Sequence, residues 1–254
     1  MHPVLFQIGG ISIYSYGVMI SLAILVAALV LFREAPREGI NPDHVLEAII
    51  VAAAAGLLGS RLLYVALNWE LFSGRLLSIF FARFEGLSFY GAFFGGALAL
   101  LIWGRRRKID FYKMADLLAP YLALGYAFGR IGCFLNGCCY GEVSSVPWAL
   151  PVSMADNLLR HPVQLYASFG AIIIFVLLKL LRPVRPFSGF NLLALAALYG
   201  LLRFTTEFFR EEPAVWLGLT TAQLFSLGLT AAALLMILTV LAAGAKKSGR
   251  TSQK

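Results

Sequence analysis

Seven long apolar runs, at residues 11–32, 45–67, 87–103, 115–132, 162–181, 188–207 and 219–243, constrain this chain more than any other feature. Each is close to the ~20 residues that a helix needs to cross the hydrocarbon core of a bilayer. Lipid offers the backbone no hydrogen-bond partner, so a chain dominated by such runs reads as an all-α integral membrane protein with seven transmembrane helices. With 254 residues, 60% of them hydrophobic and 13% charged, no sizeable soluble domain fits beside the spans. The expectation is a single polytopic domain over residues 1–244, with outer loops at about 68–86 and 133–161, and a polar, disordered cytoplasmic tail over 245–254. Residues 1–17 carry neither a basic leader nor a small-residue cleavage site, so the first span is expected to act as its own insertion signal.

The net charge of +8 would suit a nucleic-acid partner in a soluble protein, but here the basic residues sit between spans. With the N-terminus outside, fourteen of the 21 Lys and Arg fall on the inner side, among them the run Arg105, Arg106, Arg107 and Lys108. Four fall in outer loops (Arg75, Arg83, Arg160 and Arg210), and Arg61, Arg130 and Arg203 lie within spans. The positive-inside rule therefore orients the chain with its N-terminus out and its C-terminus in, and no nucleic-acid partner is expected.

This orientation gives every intramembrane polar residue a depth. Arg61, Arg130, Arg203 and Glu207 lie toward the outer ends of spans two, four and six, and Tyr16, Tyr90, His161, Gln164 and Tyr166 toward the outer starts of spans one, three and five. Helical phase agrees: Tyr199, Arg203, Glu207 and Arg210 share one face, as do Arg61, Tyr64 and Asn68, and Tyr126 and Arg130. Charge within an apolar span is expensive and needs a named partner. One arginine can snorkel to the interface or lock helices together. Three at one depth, with only Glu207 as an acidic partner, leave positive charge over. An anionic ligand balances it, and a phospholipid phosphate is the commonest anion at that depth, gripped bidentately by guanidinium.

Residues 129–141 concentrate the unusual chemistry: Arg130, four glycines, Asn136 and all three cysteines of the chain. With Tyr-Gly at 16–17, Gly-Leu-Ser-Phe at 86–89, Gly-Arg-x-Gly at 129–132, His-Pro-x-Gln-Leu-Tyr at 161–166, Tyr199, Arg203, Glu-Phe-Phe-Arg at 207–210 and Gln223, the chain resembles the bacterial prolipoprotein diacylglyceryl transferases over nearly its whole length. The resemblance implies transfer of the diacylglyceryl group of phosphatidylglycerol to the lipobox cysteine of a prolipoprotein, giving a thioether and releasing glycerol phosphate. It implies the bacterial cytoplasmic (inner) membrane, with the active site toward the outer leaflet. Together with the depth of the polar residues, it assigns Arg130, Arg203, Glu207 and, at a position that departs from the family pattern, Tyr90 to catalysis, and Tyr16, Arg61, Asn136, Gly141, Gln164, Tyr199 and Arg210 to substrate binding. No cofactor and no metal are implied; His2, His44 and His161 are not grouped, and the cysteines lack a second ligand pair.

The departures from the family pattern are as informative. Cys133 and Cys138 stand where the family usually has asparagine and glutamate, and Tyr90 stands where it has a histidine suited to taking the thiol proton. Tyrosine, with a free pKa of ~10, is a poor base unless a cation depresses it. Arginines can instead acidify the incoming thiol directly. Two versions follow: a divergent active transferase, or a relative with altered acceptor or no catalysis that binds anionic phospholipid. A transporter would place ionisable groups at the midplane, which is nearly free of charge here. Cys133 and Cys138 could pair as a disulfide if the helix ends after Gly132, fill helix contacts as small apolar residues, or supply a nucleophile, although no histidine partner is spaced for it. His161 reads as a helix-start or headgroup contact, and Tyr14 and Trp148 as interfacial aromatics.

Overall fold

A computed structural model of the chain describes residues 1–74, 88–152 and 156–251, without the side chains of Ile11, Phe89 and residues 245–251. Arg75, Arg83 and Lys254, the Gly-Leu of the motif at 86–89, and the side chains of Lys246, Lys247 and Arg250 lie outside the described residues. The chain is mostly helical. Two strands, β1 (Val4–Ile8) and β2 (Ile11–Tyr14), precede seven helices: α1 (Ser15–Glu34), α2 (Pro42–Leu67), α3 (Phe89–Arg107), α4 (Phe111–Asn136), α5 (Val163–Leu181), α6 (Phe190–Glu207) and α7 (Thr221–Thr251).

Helices thus occur at all seven expected positions. The hairpin does not match expectation, because the first apolar run was expected to be helical from residue 11, whereas the helix begins at Ser15. Gly9 and Gly10 both take positive φ, 54° and 83°, which a two-residue hairpin turn requires. The antiparallel register pairs Val4 with Tyr14 and Ile8 with Ile11. By length and composition, five helical stretches can cross a membrane: Ser15–Glu38, Pro42–Leu67, Phe111–Asn136, Val163–Val184 and Thr221–Gly244. Of the other two helices, α3 ends in three arginines, and α6 carries Asn191, Arg203 and Glu207 within 18 residues. Leu57, Leu58, Leu62 and Leu67 on α2 are more than half exposed, which a surface facing water would not favour and one facing lipid requires.

The chain forms two compact units. The smaller, residues 28–114, is built on α2 against α3. The backbones cross at glycines: a Cβ on Gly95 would lie 3.2 Å from the Cα of Gly59, and one on Gly56 3.3 Å from the carbonyl oxygen of Ala92. Close approach through small residues is how helices associate where lipid supplies no hydrophobic drive. At the other end of this pair Glu47 accepts from Trp103 Nε1 at 3.2 Å and pairs with Arg107 at 2.8 Å.

The larger unit, residues 1–27 and 115–254, contains the hairpin, the start of α1, most of α4, and α5 to α7. Its core gathers Ala119 and Ala123 of α4, Ile174 and Leu178 of α5, and Ala194 of α6. The Ser168 hydroxyl of α5 donates to the Ala127 carbonyl of α4 at 3.1 Å. Asp116 is fully buried, and its carboxylate accepts from the backbone amides of Gly189 (2.8 Å) and Leu192 (3.2 Å). A carboxylate from a neighbouring helix thereby satisfies the first amides of α6, where the helix dipole favours negative charge.

Candidate active site

The site of the larger unit is assembled from the C-terminal end of α4, the loop beyond it, the start of α5, and the end of α6 with the segment that follows. On α4, Gly132 fits against α1: a Cβ there would lie 2.9 Å from Tyr16 Cδ2 and 3.2 Å from its Cα. Arg130 projects differently and lays its guanidinium over the ring of Tyr126, 4.8 Å from the centroid, one turn earlier on the same helix. Tyr126 in turn meets Tyr199 of α6 edge to face, with centroids 5.2 Å apart. Among the described residues Arg130 has no carboxylate partner.

On α6 the expected stripe is present. Arg203 Nη1 lies 2.7 Å from Glu207 Oε2, and Arg210 Nε 3.7 Å from the same oxygen. The Thr220 hydroxyl donates to Glu207 Oε1 at 3.4 Å. Glu207 Oε2 and Arg210 Nε are buried without an aligned hydrogen bond, so their attraction is that of close ion pairs rather than of directed bonds. Glu207 is the acidic partner of the intramembrane arginine Arg203, as expected, and the loop arginines bring further acids to the site. Arg210 also binds Glu212 at 2.9 Å, and Arg160 binds Asp156 at 2.9 Å and approaches Glu211 at 3.7 Å. Those acids lie beyond the spans, where the sequence count of intramembrane partners did not reach. Around Arg203 and Arg210 charge is therefore largely balanced, and Arg130 carries the excess.

Beyond Asn136, Gly137 turns the chain at φ 69° and Cys139 follows at φ 61°, a left-handed conformation that a non-glycine residue rarely adopts. The turn folds the chain back, so that the sulfurs of Cys133, Cys138 and Cys139 all lie within 4.8 Å of one another. None is in a disulfide. The Cys139 thiol, outside the span, is held well below the ordinary thiol range by hydrogen bonds from Cys133 and then Cys138, against burial, with Arg130 and Arg210 adding attraction. The loop is fastened from α5 by Gln164, whose side-chain amide donates to the Cys138 carbonyl at 2.7 Å. Gln164 is fully buried and its Oε1 has no partner. It reaches the site through the cysteine loop, not by facing open space.

Cys139, Tyr140, Gly141, Arg160, Arg210, Glu211 and Glu212 line a cavity of about 230 Å³. Gly141 has no room for a side chain: a Cβ would overlap the Phe209 carbonyl oxygen and lie 2.6 Å from Val163 Cγ2. Its amide donates to the His161 carbonyl at 3.0 Å, while the Glu142 amide donates to the Phe209 carbonyl at 2.9 Å. Arg160, expected only as an outer-loop cation, holds this crossing from the cavity wall. It lies over the Tyr140 ring at 4.8 Å and donates to the Gly141 carbonyl at 3.4 Å. His161 is buried, with Nδ1 3.0 Å from the Tyr166 hydroxyl, which also accepts from Trp148 Nε1 at 2.6 Å. Trp148, more than half exposed, is thus tied to Tyr166.

Arg61 and Tyr90 belong to the smaller unit. The Arg61 guanidinium lies 5.3 Å from the Phe72 ring centroid and 6.0 Å from that of Tyr64. Asn68 caps α2 by donating to the Tyr64 carbonyl at 2.9 Å. Tyr90 is two-thirds exposed, and Gly91 beside it serves the crossing of α3 with α2.

A family profile described as prolipoprotein diacylglyceryl transferase matches residues 3–239. The chain is 36% identical over 233 residues to the phosphatidylglycerol–prolipoprotein diacylglyceryl transferase of Clostridium tetani, covering 89% of this chain and 93% of that protein. It is 34% identical to the protein of that name from Clostridioides difficile, covering 89% and 90%. With the one from Geobacter sulfurreducens it shares 36% identity, covering 89% and 88%.

Proposed function

The chain belongs to the prolipoprotein diacylglyceryl transferase family, and from that membership we propose that it transfers the diacylglyceryl group of phosphatidylglycerol to the lipobox cysteine of prolipoproteins. The acceptor thiol gives up its proton to water and its sulfur attacks the glyceryl carbon, the C–O bond to phosphate breaks, and glycerol phosphate leaves with the electron pair. In this reading the chain crosses the bacterial inner membrane seven times as one polytopic domain, N-terminus outside, and works at the outer leaflet.

The observation that carries the reading is Arg130, a guanidinium stacked on Tyr126 with no carboxylate partner among the described residues. Charge that develops on a leaving phosphate is what such a preorganised cation stabilises, and losing a donor of this kind costs about 2.7–4 kcal/mol of transition-state stabilisation. Arg203 contributes a second donor, oriented by Glu207, and Tyr199 supports the Tyr126 ring against which Arg130 lies. Tyr16, Asn136 and Arg210 border the same end of the unit and fit a headgroup and peptide backbone. The second reading, lipid binding without transfer, follows from the resemblance, in which Tyr90 stands where the family pattern has a histidine.

The test is transfer by the purified protein from phosphatidylglycerol to a lipobox peptide, with the thioether product read by mass spectrometry. Wild type should form product, and Arg130→Ala should lower kcat by roughly 10²–10³. A folded preparation that binds phosphatidylglycerol and forms no product selects the second reading. Full activity in Arg130→Ala overturns the assignment of the arginine.

A further inference from the structure

The three cysteines lie at the end of α4, with Cys139 on the cavity wall, and the proposed reaction gives them no task. Four observations bear on one. Their sulfurs lie within 4.8 Å of one another although they span seven residues and the end of a helix. Tetrahedral coordination of one ion at about 2.3 Å per thiolate places sulfurs about 3.8 Å apart, so the cluster closes on an ion by small side-chain rotations. A disulfide would consume two of the three and leave the third unexplained. The backbone is held for this arrangement, with Cys139 at φ 61° and the Cys138 carbonyl pinned by the fully buried Gln164. Finally, Cys139 is exposed and lines the cavity beside Arg210 and Gly141, so a fourth ligand can arrive from that side.

We propose that Cys133, Cys138 and Cys139 bind one Zn²⁺ ion through three thiolates, and that its fourth position takes the acceptor thiol of the transfer reaction. Sulfur-only ligation selects a soft or borderline ion, and three protein ligands with one open position is the pattern of catalytic rather than structural zinc. The thiol assignment rests on the function proposed above. It gives the acceptor thiol a way to lose its proton, because the residue that the resemblance leaves for that task is Tyr90, and tyrosine, with a free pKa of ~10, is a poor base. A coordinated thiol is deprotonated outright, so no side-chain base is required. In the step, the peptide S–H proton passes to water at the cavity mouth as the Zn–S bond forms. The zinc-held sulfur then forms the C–S bond while the glyceryl C–O bond breaks, the electron pair leaves on the phosphate oxygen, and the Zn–S bond is released. No electron is gained or lost.

The experiment uses the full chain, purified reduced in detergent, with Zn²⁺ or Co²⁺ alone as probe. One ion per chain should be retained through gel filtration, and Co²⁺ should show thiolate-to-metal charge-transfer absorption. Cys133→Ser, Cys138→Ser and Cys139→Ser should each weaken retention roughly tenfold or more at unchanged elution volume. Metal content no higher than in the triple serine variant overturns the site. Addition of a cysteine lipobox peptide should shift the Co²⁺ bands, and its serine analogue should not; an unshifted spectrum overturns the fourth-ligand assignment. Transfer activity separates this proposal from the one beneath it. Equal turnover in metal-stripped and Zn²⁺-loaded protein overturns thiol activation and leaves the transferase reading standing. A metal-loaded chain that shifts with peptide but never uses phosphatidylglycerol keeps the site and overturns the transferase reading.

Discussion

Replacing Gly141 by alanine tests whether this glycine binds substrate or seats three segments against one another. The added methyl would overlap the Phe209 carbonyl oxygen and lie 2.6 Å from Val163 Cγ2 and 2.8 Å from His161 Cβ. Overpacking one methyl into a close-packed site costs typically 1–3 kcal/mol, and this case belongs at the top of that range because one neighbour is backbone. Relief by backbone movement would sacrifice the bonds from Gly141 N to the His161 carbonyl and from Glu142 N to the Phe209 carbonyl, about 1 kcal/mol each. An expected loss of about 3 kcal/mol lowers the melting temperature of a chain this size by roughly 6–12 °C. The assay is thermal unfolding of the detergent-purified protein, with Gly125→Ala as control. Gly125 is helical with no heavy atom within 4 Å of its notional Cβ, so alanine there should be neutral or gain up to ~1 kcal/mol. A Gly141→Ala protein that melts with wild type but has lost turnover would refute the packing argument and return Gly141 to substrate binding.

Glu207→Gln keeps the shape of the side chain but leaves Arg203 and Arg210 without their shared anion, and breaking a pair this buried should cost about 3 kcal/mol in the same assay. Asp116→Ala removes the acceptor for two backbone amides of α6 and should cost about 2–3 kcal/mol, with Asp116→Asn milder because one acceptor oxygen remains. Hydrogen bonding from Arg160 holds the Asp156 carboxyl below its usual range, so the stability it contributes is fully present above the unfolded pKa of ~3.9. That contribution is lost as pH falls through the folded pKa: the melting-temperature gap between wild type and Asp156→Asn should hold from neutral pH down to the carboxylate range and close below it.

The apolar runs made the helices legible because a helix satisfies its own backbone, and helix ends fell within a few residues of the run boundaries, except that α7 continues to Thr251, into the tail expected to be disordered. The hairpin was hidden in the same signal: Ile11 to Tyr14 extend an apolar run, and only the Gly9-Gly10 pair announces a turn. Within the site, contacts set by helical phase were readable, such as Arg203 with Glu207 at four residues and Arg130 with Tyr126 at four. Contacts made by the return of a loop were not. Gln164 holds a carbonyl 26 residues away, Arg160 one 19 residues away, and Asp116 caps a helix 73 residues on. Periodicity carries no information about such pairs. The cysteine cluster belongs with them, because it depends on a left-handed Cys139 that no sequence preference favours.

The stretch from residue 129 to 141 shows why glycines and an arginine alternate there. On a helix, positions 129 and 132 share a face while 130 points about 100° away. Gly129 and Gly132 turn toward α1: a Cβ on the first would meet Ile20 Cδ1 at 3.6 Å, and on the second Tyr16 Cδ2 at 2.9 Å. Arg130 turns back over Tyr126 toward α6, and the Ala127 carbonyl receives Ser168 of α5. One helix end thus serves three neighbours, and its residue types follow from which neighbour each faces. Substitutions two residues apart should consequently fail by different routes. Gly132→Ala forces Tyr16 and α1 outward and should appear as lost folded yield with near-normal kcat in the surviving fraction. Arg130→Lys keeps the charge but loses the planar fork and the stacking on Tyr126, and should appear as lost kcat at normal yield. If both variants lost yield and kept kcat, Arg130 would be a packing residue like its glycine neighbours, and the anion-binding argument would lose the cation it rests on.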